Sequence, residues 1–156
     1  MDDSTKELAR EWLMRAMHDL QAAKILAGAS GGPLDAAIYH CQQAAEKAVK
    51  AWLQSKDARF AKTHDIEDLL EQAAKLDAGF RQFEVAATVL TPYVSAFRYP
   101  AGGDEFMPSR EEFNEALLHA QSICDFVLTL LPVEAPPPDG QESVKPTFDS
   151  RANEQK

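Results

Sequence analysis

Five cations, Lys47, Lys50, Lys56, Arg59 and Lys62, crowd one stretch of a chain that carries a net charge of -9, and Asp57 alone interrupts them. Lys47 and Lys50 share a helical face at three-residue spacing, and the other three could join them from a loop, which makes a local anion site. The bland alternative is that cations near a helix C-terminus offset its dipole, worth about 0.3 kcal/mol or slightly more each. His64 stands where a helix should open, and free backbone N–H groups there favour an anion. Equally, it could bond a neighbouring carbonyl and anchor the loop. Arg98 beside Tyr99, with Tyr93 close by, combines a guanidinium fork for phosphate with rings that stack on a base. Alternatively, Arg98 caps the last carbonyls of its helix and the tyrosines fill the bundle end. His18, His40 and His119 fall on three helices with no paired ligand spacing and no Glu-x-x-His motif, so no metal site and no cofactor are expected. Asp19, Glu46 and His40 could make polar contacts within a dimer interface.

These residues must be positioned by helices. Ser4 with Glu7 reads as a capping box, and Leu13, Ala16, Leu20, Ala23 and Ala27 follow at three- and four-residue steps, which predicts a first helix over roughly 5–28. Pro33 suits a first helical position, and a second helix runs from there to about Lys56 on the stripe Leu34, Ile38, Cys41, Ala45, Ala48, Trp52. A short third helix carries Ile66, Leu69, Leu70, Ala73 and Leu76, capped by Thr63 or Asp65. After Gly79 a fourth helix presents Phe83, Ala87, Leu90, Val94 and Phe97, kinks at Pro92, and ends near Arg98 because Pro100 pushes Tyr99 out of the helical region. Ser109 with Glu112 forms another capping box, and Phe113, Leu117, Ala120, Cys124, Val127 and Leu131 mark a fifth helix that stops at Pro132. The expected fold is therefore all-α, an up-and-down bundle of four long helices plus one short one, over residues 1–131. Residues 132–156, Pro-rich and without periodicity, are expected to be a disordered tail.

Composition narrows the function classes. With 156 residues the chain fits one domain that needs no disulfide or metal to fold. Cys41 and Cys124 lie inside apolar helical patterns without CxxC spacing, which predicts buried, reduced thiols and suits the cytoplasm. The polar, acidic start MDDSTKELAREW has no apolar core of a signal peptide, and no run of some 18 apolar residues offers a membrane span. The negative net charge disfavours a broad nucleic-acid-coating surface, so any such contact must be local. Trp12 and additional alanines lie beside the stripes of the first two helices, and a homodimer is the simplest use of that second apolar face.

Four pieces of the sequence resemble the HEPN (higher eukaryotes and prokaryotes nucleotide-binding) domain. They are Asp19-Leu20 followed by Ala22-Ala23; the block from His40 through Gln42-Gln43-Ala44-Ala45-Glu46-Lys47 to Ala51; Thr63-His64-Asp65-Ile66; and Tyr93 followed by Arg98-Tyr99-Pro100. The resemblance covers roughly residues 5–131. It implies a four- or five-helix bundle, frequent dimerisation, roles tied to nucleotides or RNA, and a two-component, toxin–antitoxin-like arrangement with a minimal nucleotidyltransferase. Several members are metal-independent ribonucleases with Arg, four to six residues, then His. Here the positions counted from Arg98 hold Gly103, Asp104 and Glu105 and no histidine, and those carboxylates would repel phosphate. Arg59 and His64 have the right spacing but sit before the third helix, away from the family's catalytic region. No catalytic residue is therefore assigned, and the candidate ligand-binding residues remain Lys47, Lys50, His64, Tyr93, Arg98 and Tyr99, taking a nucleotide or phosphate. A ribonuclease toxin and a dimeric scaffold without a nucleotide site are the alternatives.

Overall fold

The computed structural model describes residues 2–60, 62–100 and 107–131. The expected tail over 132–156 lies outside them, as do the acidic positions after Arg98. Five α-helices, α1 (Asp3–Gly28), α2 (Leu34–Ser55), α3 (Ile66–Leu76), α4 (Glu84–Leu90) and α5 (Arg110–Leu130), account for most of the described chain, and no strand occurs among those residues. The chain is all-α, as its periodicity predicts.

Helix starts follow local side-chain chemistry. Asp2, not Ser4, caps α1: its carboxylate accepts from Thr5 N at 2.8 Å and from the Ser4 hydroxyl at 2.7 Å. An aspartate caps as well as a serine does, and here it takes two donors at once, so the helix begins two residues earlier than the Ser4/Glu7 pattern implies. Pro33 falls at the N-cap of α2 and the helix starts at Leu34. Asp65 caps α3 by accepting from Glu67 N and Asp68 N. Ser109 and Glu112 form the reciprocal capping box of α5. Between α1 and α2 the chain turns through Gly31 at φ 67°, and any side chain at Gly32 would collide with the Leu26 carbonyl.

The fourth rod departs from expectation. In place of one kinked helix the chain makes a 3-10 segment, Ala78–Phe83, then the short α4, then a second 3-10 turn, Thr91–Val94. Asp77 nucleates the first segment by accepting from Gly79 N at 2.8 Å. Pro92 has no N–H to give the carbonyl one turn before it, so the backbone tightens at Thr91 instead of bending and continuing.

α2 is the central element. It packs lengthwise on α1 and α5, and it also meets α3 and the Thr91–Val94 turn. Ile38, Cys41, Ala44, Ala45, Ala48, Val49 and Leu53 are fully buried, and the small residues let its neighbours approach closely. At the far end Trp52, Phe80, Phe83 and Phe126 form an aromatic cluster with ring centroids 4.6–5.2 Å apart. Cys41 and Cys124 are buried free thiols, and burial raises the Cys41 thiol from 9.0 to about 12. Cys124 is pushed higher still, by burial first and then by nearby negative charge including Asp125.

Candidate functional site

α2 is apolar toward α1 and α5 but carries polar side chains along another line: Tyr39, Gln42, Gln43, Glu46 and Lys50, spaced by threes and fours. Glu46 lies at its middle with only 3% of its side chain exposed. Burying a carboxylate is costly unless donors surround it, and four do. Lys50 Nζ donates to Oε1 at 2.8 Å, Gln42 Nε2 and Gln43 Nε2 donate to Oε2 at 3.0 and 3.2 Å, and His64 Nδ1 approaches Oε1 at 3.1 Å. A carboxylate offers only lone pairs, so the Nδ1 of His64 is the protonated nitrogen. Gln42 also donates to the His64 carbonyl at 3.1 Å, which holds the backbone at the start of α3 as well as its ring. The His64 side chain is 70% exposed, so its Nε2 edge faces solvent.

Lys50 is itself nearly buried. Its ammonium lies 5.5 Å from the Trp12 ring and 6.0 Å from the Phe60 ring, with Glu46 as counter-ion, so aromatic faces and a carboxylate together replace its water. Lys47 does not share this partner. It reaches across to α1 and donates to Asp19 Oδ2 at 2.6 Å, while His40 Nδ1 meets Asp19 Oδ1 at 2.8 Å. The two lysines expected to share one anion thus each neutralise a separate carboxylate of the chain. In the following loop, among the described residues, Arg59 and Lys62 are exposed and unpaired, and Lys56 lies 5.6 Å over the Trp52 ring.

Arg98 also docks on α2. Its guanidinium lies 4.2 Å over the Tyr39 ring and 5.7 Å from the exposed Tyr99 ring, and Nη1 donates to the Val94 carbonyl at 3.3 Å. The capping reading is seen, since one N–H closes the preceding turn, and among the described residues the guanidinium makes no other hydrogen bond. Phe97, at φ 66°, turns the backbone to place it; a bulky residue rarely adopts that left-handed conformation, so the rest of the structure must hold it there. Tyr93 belongs elsewhere. It stacks on Phe97 at 6.2 Å, and burial, then Glu112, then Glu115 raise its phenol above the usual range, so it faces the acidic start of α5.

Tyr39 and Glu46 are seven positions apart on one face of α2, so Arg98 and His64 stand about 10 Å apart along the helix axis. The structure brings Lys50 and His64 onto Glu46 and Arg98 onto Tyr39, all along this line, leaves Tyr99 exposed beside Arg98, and sets Lys47 on Asp19. Tyr39, Gln42, Gln43 and Trp12 were not among the sequence candidates. The polar spacing on an otherwise apolar helix is the signal that marks the first three. No group of three or more potential metal ligands occurs among the described residues. None of the described helices is long and apolar enough to cross a membrane.

Helices of this order, gathered on a central helix, define a small helical-bundle domain. The HEPN domain model matches residues 9–130, and the chain belongs to the HEPN domain family. Among solved structures it is similar to TT1696 from Thermus thermophilus, with 34% identity over 78% of this chain and 96% of the other and a TM-score of 0.66. It is also similar to ST0689, an archaeal HEPN homologue, with 26% identity over 79% of this chain and 97% of the other and a TM-score of 0.64. No curated protein matches the chain.

Proposed function

We infer that this HEPN protein is a nucleotide- or RNA-binding module that works with a protein partner such as a minimal nucleotidyltransferase, in a toxin–antitoxin-like pair. The observation that carries this reading is Arg98, whose guanidinium lies over Tyr39 beside the exposed Tyr99 and makes one hydrogen bond, to the Val94 carbonyl, among the described residues. A phosphate meets the fork, a base meets the ring, and stacking holds the guanidinium in place before the ligand arrives. His64, about 10 Å along α2, offers a second contact to a neighbouring phosphate. The protein is a homodimer in this reading, joined through the outer face of α1 where Leu8, Trp12 and Arg15 border a small groove. A cytoplasmic setting suits its two free, buried thiols in this reading.

The test is titration of the whole protein with short single-stranded RNA and with individual nucleotides. Arg98→Leu should weaken binding by about tenfold or more, the worth of a charge-assisted hydrogen bond. Arg98→Lys should not restore it, because an ammonium neither stacks nor forks. Absence of binding to every nucleotide and RNA would leave a scaffold instead. One observation favours a second reading, a metal-independent ribonuclease: a solvent-facing imidazole is oriented by the buried Glu46 carboxylate, with Arg59 in the same loop. Metal-free RNA cleavage that His64→Ala abolishes would put that reading first.

A further inference from the structure

A cavity of about 580 Å³ lies away from all the candidate residues, between α3 and the rod formed by Ala78–Phe83 and α4. Its floor is apolar: Leu70, Ala74, Phe80 and Ala87. Its rim is ionic, with Glu67, Glu71 and Lys75 from α3 facing Arg81 and Glu84 from the opposite wall. Among the described residues none of these five side chains has an ion pair or a hydrogen bond. Glu71 and Lys75 stand four positions apart and Arg81 and Glu84 three, yet neither couple closes into an ion pair among the described residues, so all five charges around the apolar trough are left to a partner.

The charges are ordered. The chain reverses at Asp77, so Lys75 and Arg81 sit at the closed, turn end, while Glu71, Glu84 and Glu67 follow toward the open end. Three carboxylates along the open length repel a polyanion, so RNA is excluded from this face, and a cationic partner is attracted. An apolar floor between two helices with a polar rim is the shape into which an amphipathic segment lays its side chains.

We propose that the groove between α3 and α4 docks a basic amphipathic segment of a partner protein, with an apolar side chain on the Leu70–Phe80–Ala87 floor and arginine or lysine against Glu67, Glu71 and Glu84. Lys75 and Arg81 set polarity by accepting an acidic residue or C-terminal carboxylate at the turn end. This surface uses none of the residues assigned to nucleotide binding and stands whether or not that reading holds.

The experiment uses the full chain and labelled helical peptides bearing leucine with arginines three and four positions on. Two controls replace the arginines by glutamate or the leucine by serine. Fluorescence anisotropy should show the arginine–leucine peptide binding at least about tenfold more tightly than either control, with affinity falling as salt rises. Glu71→Lys/Glu84→Lys, both changes at exposed positions, should reverse the preference toward the glutamate peptide. Thr88→Trp, an exposed residue on the groove wall, should block both peptides while thermal melting stays that of the parent protein. Equal binding of the basic and acidic peptides, or amide shifts mapping to Arg98 and His64 and not to α3 and α4, overturns the proposal. Complete displacement by spermine, with no loss on removing leucine, makes the groove a polycation site and overturns it too. Failure of every peptide to bind at millimolar concentration does the same.

Discussion

The pair Glu46–Lys50 gives the sharpest test of how the polar line of α2 is built. Lys50→Met keeps the aliphatic stem between Trp12 and Phe60 but removes the ammonium that donates to Glu46 Oε1 at 2.8 Å. Both side chains are nearly buried, at 8% and 3% exposed, so the substitution strands a carboxylate that water cannot reach. Breaking such a pair costs about 3–5 kcal/mol. Gln42, Gln43 and His64 still donate to Glu46, which puts the expectation at the lower end, about 3 kcal/mol, together with cation–π contacts worth about 0.5–1 kcal/mol. That is a large share of the roughly 5–15 kcal/mol by which a domain is stable. Glu46→Gln in the Lys50→Met background removes the stranded charge and should recover about 2 kcal/mol, a coupling within the range of groups in contact. Urea unfolding followed by far-UV circular dichroism measures all four members of the cycle, with an unchanged slope confirming two-state behaviour. A loss below about 1 kcal/mol for Lys50→Met, or strict additivity in the double variant, would refute the claim that the carboxylate depends on its lysine.

Two further outcomes are expected. Asp65→Ala and Ser109→Ala should each lower stability by about 1 kcal/mol in urea melts, because each removes a side-chain acceptor for free N–H groups at a helix start; Ser4→Ala, whose hydroxyl does not cap α1, should cost far less. Burial raises the Cys41 thiol from 9.0 to about 12, so the native state holds its proton where the unfolded chain releases it. Its contribution is complete below pH 9 and is lost as pH rises from 9 toward 12. The urea midpoint of the parent should therefore fall more steeply across that window than that of Cys41→Ala, and identical slopes would refute the assignment.

Helical periodicity made most of the fold legible, because burial in a bundle is itself periodic. Leu13, Ala16, Leu20, Ala23 and Ala27, set at three- and four-residue steps, are all buried in α1, and Phe113, Ala120, Cys124 and Val127 are buried in α5. The same stripe misled over the fourth rod. Phe83, Ala87 and Leu90 are buried, but Val94 and Phe97 are only half-buried, because Pro92 changes the register beneath them. Periodicity reports which residues face inward. It does not report whether the hydrogen-bond ladder between them survives a proline.

The site was less legible because its partners are set by how helices rotate against one another. Lys47 and Lys50 look equivalent in sequence, yet three residues turn them far enough apart that one reaches Asp19 on α1 and the other stays with Glu46. Glu46 and His64 are 18 residues apart, and their meeting depends on where the segment entering α3 lies against α2. The polar line on α2 could be counted from the sequence; its burial could not, since that requires knowing which neighbour covers it.

This arrangement ties recognition to stability unequally. Glu46, Gln42 and Lys50 are core residues that happen to be polar, so changing them perturbs folding before it perturbs any ligand. Arg98 and His64 reach the surface from the ends of other elements and rest on α2 through one stacking contact and one hydrogen-bonded ring. Removing Arg98 breaks no ion pair among the described residues, and removing His64 still leaves Glu46 its three other donors. A loss of RNA binding on Arg98→Leu without a shift in melting temperature therefore reports recognition, whereas the same loss on Glu46→Gln reports the scaffold. The strained backbone at Phe97 sharpens the distinction. Phe97→Gly relieves its left-handed conformation, but it also gives up the stacking contact with Tyr93 and frees the backbone that turns Arg98 toward Tyr39, so binding should weaken even where the local backbone is more at ease.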